Sequence, residues 1–173
     1  MSDPIATSAN ATITTPLVAH DRRVAQLVDA IWCERFADIP RANEVVAGYE
    51  YPWKWRLGRI RMSLDQRISE ITLNRLLDSP HVPEAIAVGV IAHEIVHYAQ
   101  GFGSPLPRQQ RHAHTHGAVS RELTRRGLGN HEQILEEWSH EVWPHFRDQA
   151  LSQSRRERTS AWSPCVLTAK VIY

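Results

Sequence analysis

Cysteine is nearly absent: Cys33 and Cys165 are the only two in 173 residues. That number cannot build a disulfide scaffold or a four-thiolate zinc site. Charge of one sign is absent too. Lys and Arg total 20 against 19 Asp and Glu, a net charge of +1, so no global field recruits nucleic acid or an acidic membrane. No apolar run approaches the ~18 residues that a membrane span needs. The opening MSDPIATSANATITTP has neither a positive flank nor an apolar block and does not read as a secretory signal. These absences lead to the expectation of a soluble, cytoplasmic protein. With 42% hydrophobic and 23% charged residues the composition is that of an ordinary globular chain, and the length suits one domain. What stands out is histidine. There are ten, and such a number asks for a metal.

Residues 1–20, rich in Ser, Thr, Ala and Asn, read as a flexible tail, 21–151 as the folded domain, and 152–173 as a second tail with a late strand around Cys165-Val166-Leu167. Val24, Leu27, Val28, Ile31, Trp32 and Phe36 recur at helical steps behind Asp21, a good N-cap, and Pro40 stops the run. Cys33 beside Trp32 reads as a buried thiol. Residues 41–56 are mixed, with aromatics at Tyr49, Tyr51, Trp53 and Trp55. Two alternating stretches, 57–63 and 68–74, predict a hairpin, with a helix over 66–77 as the rival. Residues 82–100 predict a helix with Pro83 and Glu84 in its first turn and Gly101 at its end; its apolar residues surround the axis, so it is expected at the centre. Residues 101–115 read as a loop, and 116–126 and 131–151 as helices. Trp138, Trp143, Ile134, Leu135 and Phe146 read as core, and His131, His140 and His145 receive no ligand role.

The central helix contains His93-Glu94-Ile95-Val96-His97. Two histidines four residues apart share a helical face, ~6 Å apart along the axis, so their imidazoles can converge on one zinc ion. Glu94 projects beside that face and can take a proton from an activated water. A buried helix would hardly carry two His and a Glu in five residues unless something bound them. Catalytic zinc needs a third protein ligand and an open fourth position. The sixth residue after His97 is Gly103, so the spaced metzincin continuation fails. His112, His114 and His116 crowd the following loop, and Glu122, Glu132, Glu136 or Glu137 could serve instead. Position favours His116, at the start of an expected helix. Tyr98, His112 and His114 are candidate donors to a developing oxyanion.

Over about residues 49–129 the sequence resembles the SprT-like zinc metallopeptidases, relatives of Spartan. The resemblance rests on Ile71-Thr72-Leu73-Asn74, Leu76-Leu77-Asp78-Ser79-Pro80, the run from Val90 to His97, His116-Gly117 and Arg125-Arg126-Gly127. Ser120 stands where that family usually has an aromatic. The resemblance implies an α+β fold of the short zincin type: an N-terminal helix, a small sheet containing antiparallel strands, the HExxH helix at the centre and helices at the C-terminal end. It implies one catalytic Zn2+ held by His93, His97 and His116, with Glu94 as general base and a protein or peptide as substrate. Ile71, Thr72 and Leu73 would form the sheet edge along which the substrate lies, and Tyr98 is a further candidate for substrate contact.

Trp53, Lys54, Trp55 and Arg56, followed by Arg59 and Arg61, interleave aromatics with basic residues. That composition suits DNA contact by stacking beside a phosphate-neutralising groove, as a DNA-associated protease would need; core tryptophans with solvated arginines are the plainer reading. A binding module stapled by structural zinc is a third possibility.

Overall fold

The computed structural model describes residues 19–161, with side chains from 21 to 156. It is α+β: five α-helices and a small mixed sheet. Helix α1 (Arg22–Arg35) begins where expected, with the Asp21 carboxylate accepting from the N–H groups of Arg23 (2.9 Å) and Val24 (3.2 Å). Its buried stripe is Val24, Val28, Ile31 and Trp32. Cys33 lies one step further round the helix, off that stripe, and is exposed, so the expectation of a buried thiol is corrected.

The sheet order is β1-β2-β4-β3. Strand β1 is a two-residue stub, Ala19–His20, antiparallel to β2 (Glu44–Glu50), and so lies inside the stretch read as tail. Strands β3 (Gly58–Met62) and β4 (Ile68–Asn74) form the expected hairpin. Strand β2 was not foreseen. It runs parallel to β4 from Glu44↔Ile68 to Glu50↔Asn74, which places β4 between two partners. Val46 to Tyr49 are all buried, and a strand covered on both faces shows no alternation to read.

Helix α2 (Glu84–Ala99) packs against the sheet and α1, and twelve of its sixteen residues are buried. Ile86, Ile91 and Ile95 are completely buried, each contributing roughly 1.5–3 kcal/mol. They join Val24, Val28 and Phe36 from the α1 region and Ile71 and Leu73 from β4 in a single core. Gly101, at φ +80°, ends the helix; a Cβ there would lie 2.6 Å from the Pro107 carbonyl oxygen, so only glycine lets the following loop fold back this closely.

Helix α3 (Ala118–Arg125) buries Val119 and Leu123. Arg126, just beyond it, reaches Asp38 (2.6 and 2.9 Å), Glu122 (2.7 Å) and the Arg35 carbonyl (2.5 Å), and so ties this end of α3 to the end of α1. The stretch read as a single helix over 131–151 is two, α4 (Gly129–Glu141) and α5 (Trp143–Ala161). Pro144 has no N–H for the His140 carbonyl and its ring crowds that oxygen, so the helix breaks at Val142. Trp143 is buried, while Ile134, Leu135, Trp138 and Phe146 pack on the core partly covered. Residues 152–161, read as tail, continue α5. The late strand around Cys165 lies outside the described residues. Among those described, no helix is long and apolar enough to cross a membrane.

Candidate metal centre

His93 and His97 lie one turn apart on α2 and both line a cleft. Their Nε2 atoms face each other at 3.1 Å. A third imidazole comes from the loop: the His114 ring centroid is 4.7 Å from that of His97 and 5.3 Å from that of His93. Among the described residues, His93, His97 and His114 form the group whose ligand atoms all lie within 4.8 Å of one another. Tetrahedral zinc at ~2.0–2.1 Å from each nitrogen needs ligands about 3.3 Å apart, so the α2 pair fits such an ion almost without adjustment. Burial also favours the neutral form of these rings. It lowers the His93 pKa to about 4, helped by His114, and that of His97 to about 3, helped by His93 and His114. Both are thus deprotonated at neutral pH, as metal ligation requires. His97 Nδ1 is buried without a protein partner, so edge contacts with His93, His114 and Phe102 orient this ring.

His116 does not join the group. It is exposed and sits in a left-handed conformation, φ +49° and ψ +38°, inside a 3-10 turn over Thr115–Gly117. Its carbonyl accepts from Arg121, and helix α3 starts two residues later than expected, at Ala118. The side chain therefore belongs to a reversing turn instead of the first turn of a helix. His112 is also exposed, its carbonyl taken by the Thr115 hydroxyl at 2.7 Å. Among the glutamates, Glu122 is engaged by Arg125 and Arg126, Glu132 accepts from the Ser120 hydroxyl at 2.6 Å, and Glu137 accepts from Gln133 at 2.9 Å. Glu136 lines the cleft without joining the imidazoles.

Glu94 is 7% exposed, and burial pushes its carboxyl up to about 8 against the opposing influence of Arg56, the Ile60 N–H and Arg59. Strand β3 supplies that N–H. Asn74 N–H donates to Leu57 O and Ser63 N–H to Ile68 O, a phase that turns the peptide groups of Arg59 and Arg61 toward β4 and those of Gly58, Ile60 and Met62 outward. The outer edge of β3 is thereby brought against α2. Gly58 permits the approach: a Cβ there would sit 2.3 Å from Val90 Cγ1 and 3.1 Å from Glu94 Oε1. A cleft of about 1030 Å³ opens above His93, Glu94 and His97, with β3 on one side and α4 on the other.

The four residues expected along the substrate are not at this cleft. Ile71, Thr72 and Leu73 are completely buried in β4, which is paired on both edges, so the sheet edge that borders the cleft is that of β3. Tyr98 is completely buried as well. Its hydroxyl donates to Asn43 Oδ1 (2.9 Å) and accepts from the Ala42 N–H (2.8 Å), which makes it a core strut and removes it as an oxyanion donor. Trp53, Lys54, Trp55 and Arg56 form the segment leading into β3, and Trp55 and Arg56 line the cleft mouth. Arg59 lies over Trp53 and is paired with Glu50 at 2.5 Å; Arg61 is paired with Glu70. Sequence reasoning passed over Gly58 and Ile60, for which a glycine opening a strand was the available signal.

No protein-family model, curated protein or solved structure matches this chain.

The three buried groups set a pH dependence for the metal-free protein. At His93 and His97 the folded state refuses protons that the unfolded chain takes up near 6.5, so their contribution is complete above 6.5 and is lost as pH falls toward 4 and then 3. Glu94 acts in the opposite sense: the fold keeps a proton that the unfolded chain releases near 4.5, and the stability this confers is lost as pH rises to about 8. Two groups against one leave a maximum near pH 6.5. Thermal unfolding of chelator-treated protein across this range is expected to show it; a melting temperature that climbs steadily through pH 8 would contradict the assignment of these groups as buried.

Proposed function

We propose that the protein is a zinc-dependent metallopeptidase of the SprT-like type, with a short zincin fold, in which His93, His97 and His114 hold one catalytic Zn2+ and Glu94 is the general base. The observation that carries this reading is the conjunction of three converging imidazoles with a buried carboxylate on the same helical turn, both open to one cleft. A bound zinc would supply Lewis acidity at the scissile carbonyl and lower the pKa of water beside it.

The chain's own residues do the rest. Glu94, held by the Ile60 N–H, takes the proton of the attacking water in its ionised form, which the positive charge of a bound zinc would favour against the metal-free pKa of about 8, and passes it to the leaving amine. The outward peptide groups of β3 other than the Ile60 N–H, which Glu94 takes, offer an extended substrate a strand to pair with, which supports a protein or peptide as the substrate class. Val90, Leu135 and Trp143 give the cleft an apolar lining that limits water near the reaction. Casein cleavage is the direct test: activity is expected to disappear on chelation, by at least about a hundredfold, and to return with added zinc. Cleavage unaffected by complete metal removal would overturn the reading.

A further inference from the structure

The segment leading into β3 is irregular, yet its backbone is fixed from inside. Asn74, completely buried, donates through Nδ2 to the carbonyls of Trp53 (2.9 Å) and Arg56 (2.8 Å), and its own N–H donates to Leu57 O (2.7 Å). From α5, buried Arg147 and Trp143 both donate to the Lys54 carbonyl, at 2.9 and 3.3 Å. Four carbonyls in five residues are thus held by interior groups, while the side chains of Lys54, Trp55 and Arg56 are exposed. Such clamping keeps a recognition element in place before its ligand arrives.

Two arginines line the cleft, and they differ. Arg59 is committed to Glu50 and stacked on Trp53. The Arg56 guanidinium makes no ion pair or hydrogen bond among the described residues and lines the cleft that holds His93, Glu94 and His97. It stands two residues before Gly58 and four before Ile60, on the clamped segment that leads into β3.

We propose that Arg56 is a specificity-determining residue that pairs with a carboxylate of an extended peptide lying along β3, a role that rests on the peptidase reading above. The carboxylate belongs to an acidic side chain of that peptide, on the side of the scissile bond that lies toward Gly58. Two features favour a single carboxylate over a polyphosphate chain. Glu132 and Glu136 line the cleft as well, and would repel a run of phosphates. The Trp55 ring, although 75% exposed, already lies beneath Lys54 (4.9 Å) and Arg147 (5.1 Å), so a stacking base would compete with the chain's own cations.

The test uses zinc-loaded full-length Glu94→Gln protein, which binds without turnover and removes any effect of Arg56 on the ionisation of Glu94. Capped octapeptides that differ only in Glu against Gln at one position, scanned along the peptide, are titrated calorimetrically. One position is expected to prefer Glu by about tenfold, the preference weakening with salt. Adding Arg56→Gln should abolish the preference while binding of the Gln peptides stays the same; Arg56→Lys should keep part of it. A preference that is absent, or that survives Arg56→Gln, overturns the role of Arg56 and leaves the peptidase reading standing. If no octapeptide binds and wild-type protein cleaves no casein, both fall together. Tighter binding of a single-stranded oligonucleotide than of any peptide, lost on Arg56→Gln, would overturn the choice of ligand.

Discussion

Glu94→Gln is expected to lower the rate of peptide hydrolysis by about 10²–10⁴-fold while leaving the zinc content of the protein unchanged. The substitution keeps the shape of the side chain and the oxygen that accepts from the Ile60 N–H, so the geometry around α2 should survive. What it removes is the capacity to take a proton. A neutral amide is also easier to bury than a carboxylate, and Glu94 is 7% exposed, so the variant should be at least as stable as the parent once the pH exceeds the value of about 8 at which the buried acid gives up its proton. Initial rates on a fluorogenic peptide, zinc by atomic absorption and a melting curve on one preparation check all three. Were zinc only a staple for the fold, Glu94→Gln would leave the protein's function intact and His93→Ala would unfold it. Unchanged activity in Glu94→Gln would therefore exclude this carboxylate as the base.

How much could be read in advance followed from the range of the interactions. The α1 cap at Asp21 and the α2 segment from Pro83 to Gly101 are set by neighbours within a few residues; α2 begins and ends within two residues of the expected positions, while α1 starts where expected and stops at Arg35, well short of Pro40. The His93, Glu94 and His97 face is equally local, because helical geometry alone aligns positions four apart. Strand β2 was hidden because its burial comes from elements on both faces, and the parallel pairing with β4 depends on a crossover that no short window displays. The break at Val142 was legible in Pro144, but the apolar residues on either side continue one another's periodicity and outweighed it. The clamp on residues 53–57 is the least local feature of all. It joins Lys54 to Trp143 and Arg147, about ninety residues later, through carbonyls that carry no sequence signature. Likewise the sheet edge beside the cleft is β3 and not β4, because alternation predicts a hairpin without saying which strand gains a second neighbour.

The third ligand is where local reading ended, and it yields the sharpest discrimination. His114→Ala is expected to weaken zinc binding by more than about a hundredfold, since even partners one shell further out cost 10- to 100-fold. Exposed His116 should be dispensable for the metal. Its left-handed backbone makes alanine a poor control, because a β-carbon without a compensating hydrogen bond is strained at φ +49°. Asparagine tolerates that conformation, so His116→Asn is the variant to compare. Competition with a chromogenic chelator at pH 7 measures both affinities, and a melting curve without metal shows whether either change disturbs the fold. His114→Ala should melt as the parent does once zinc is removed, because an exposed side chain contributes little to packing; with zinc present it should lose the stabilisation that ligand binding gives the parent. The opposite result, zinc lost in His116→Asn and retained in His114→Ala, would restore the ligand set that the SprT-like resemblance implies. It would also mean that the turn over Thr115–Gly117 rearranges when metal binds, carrying His116 inward and His114 out.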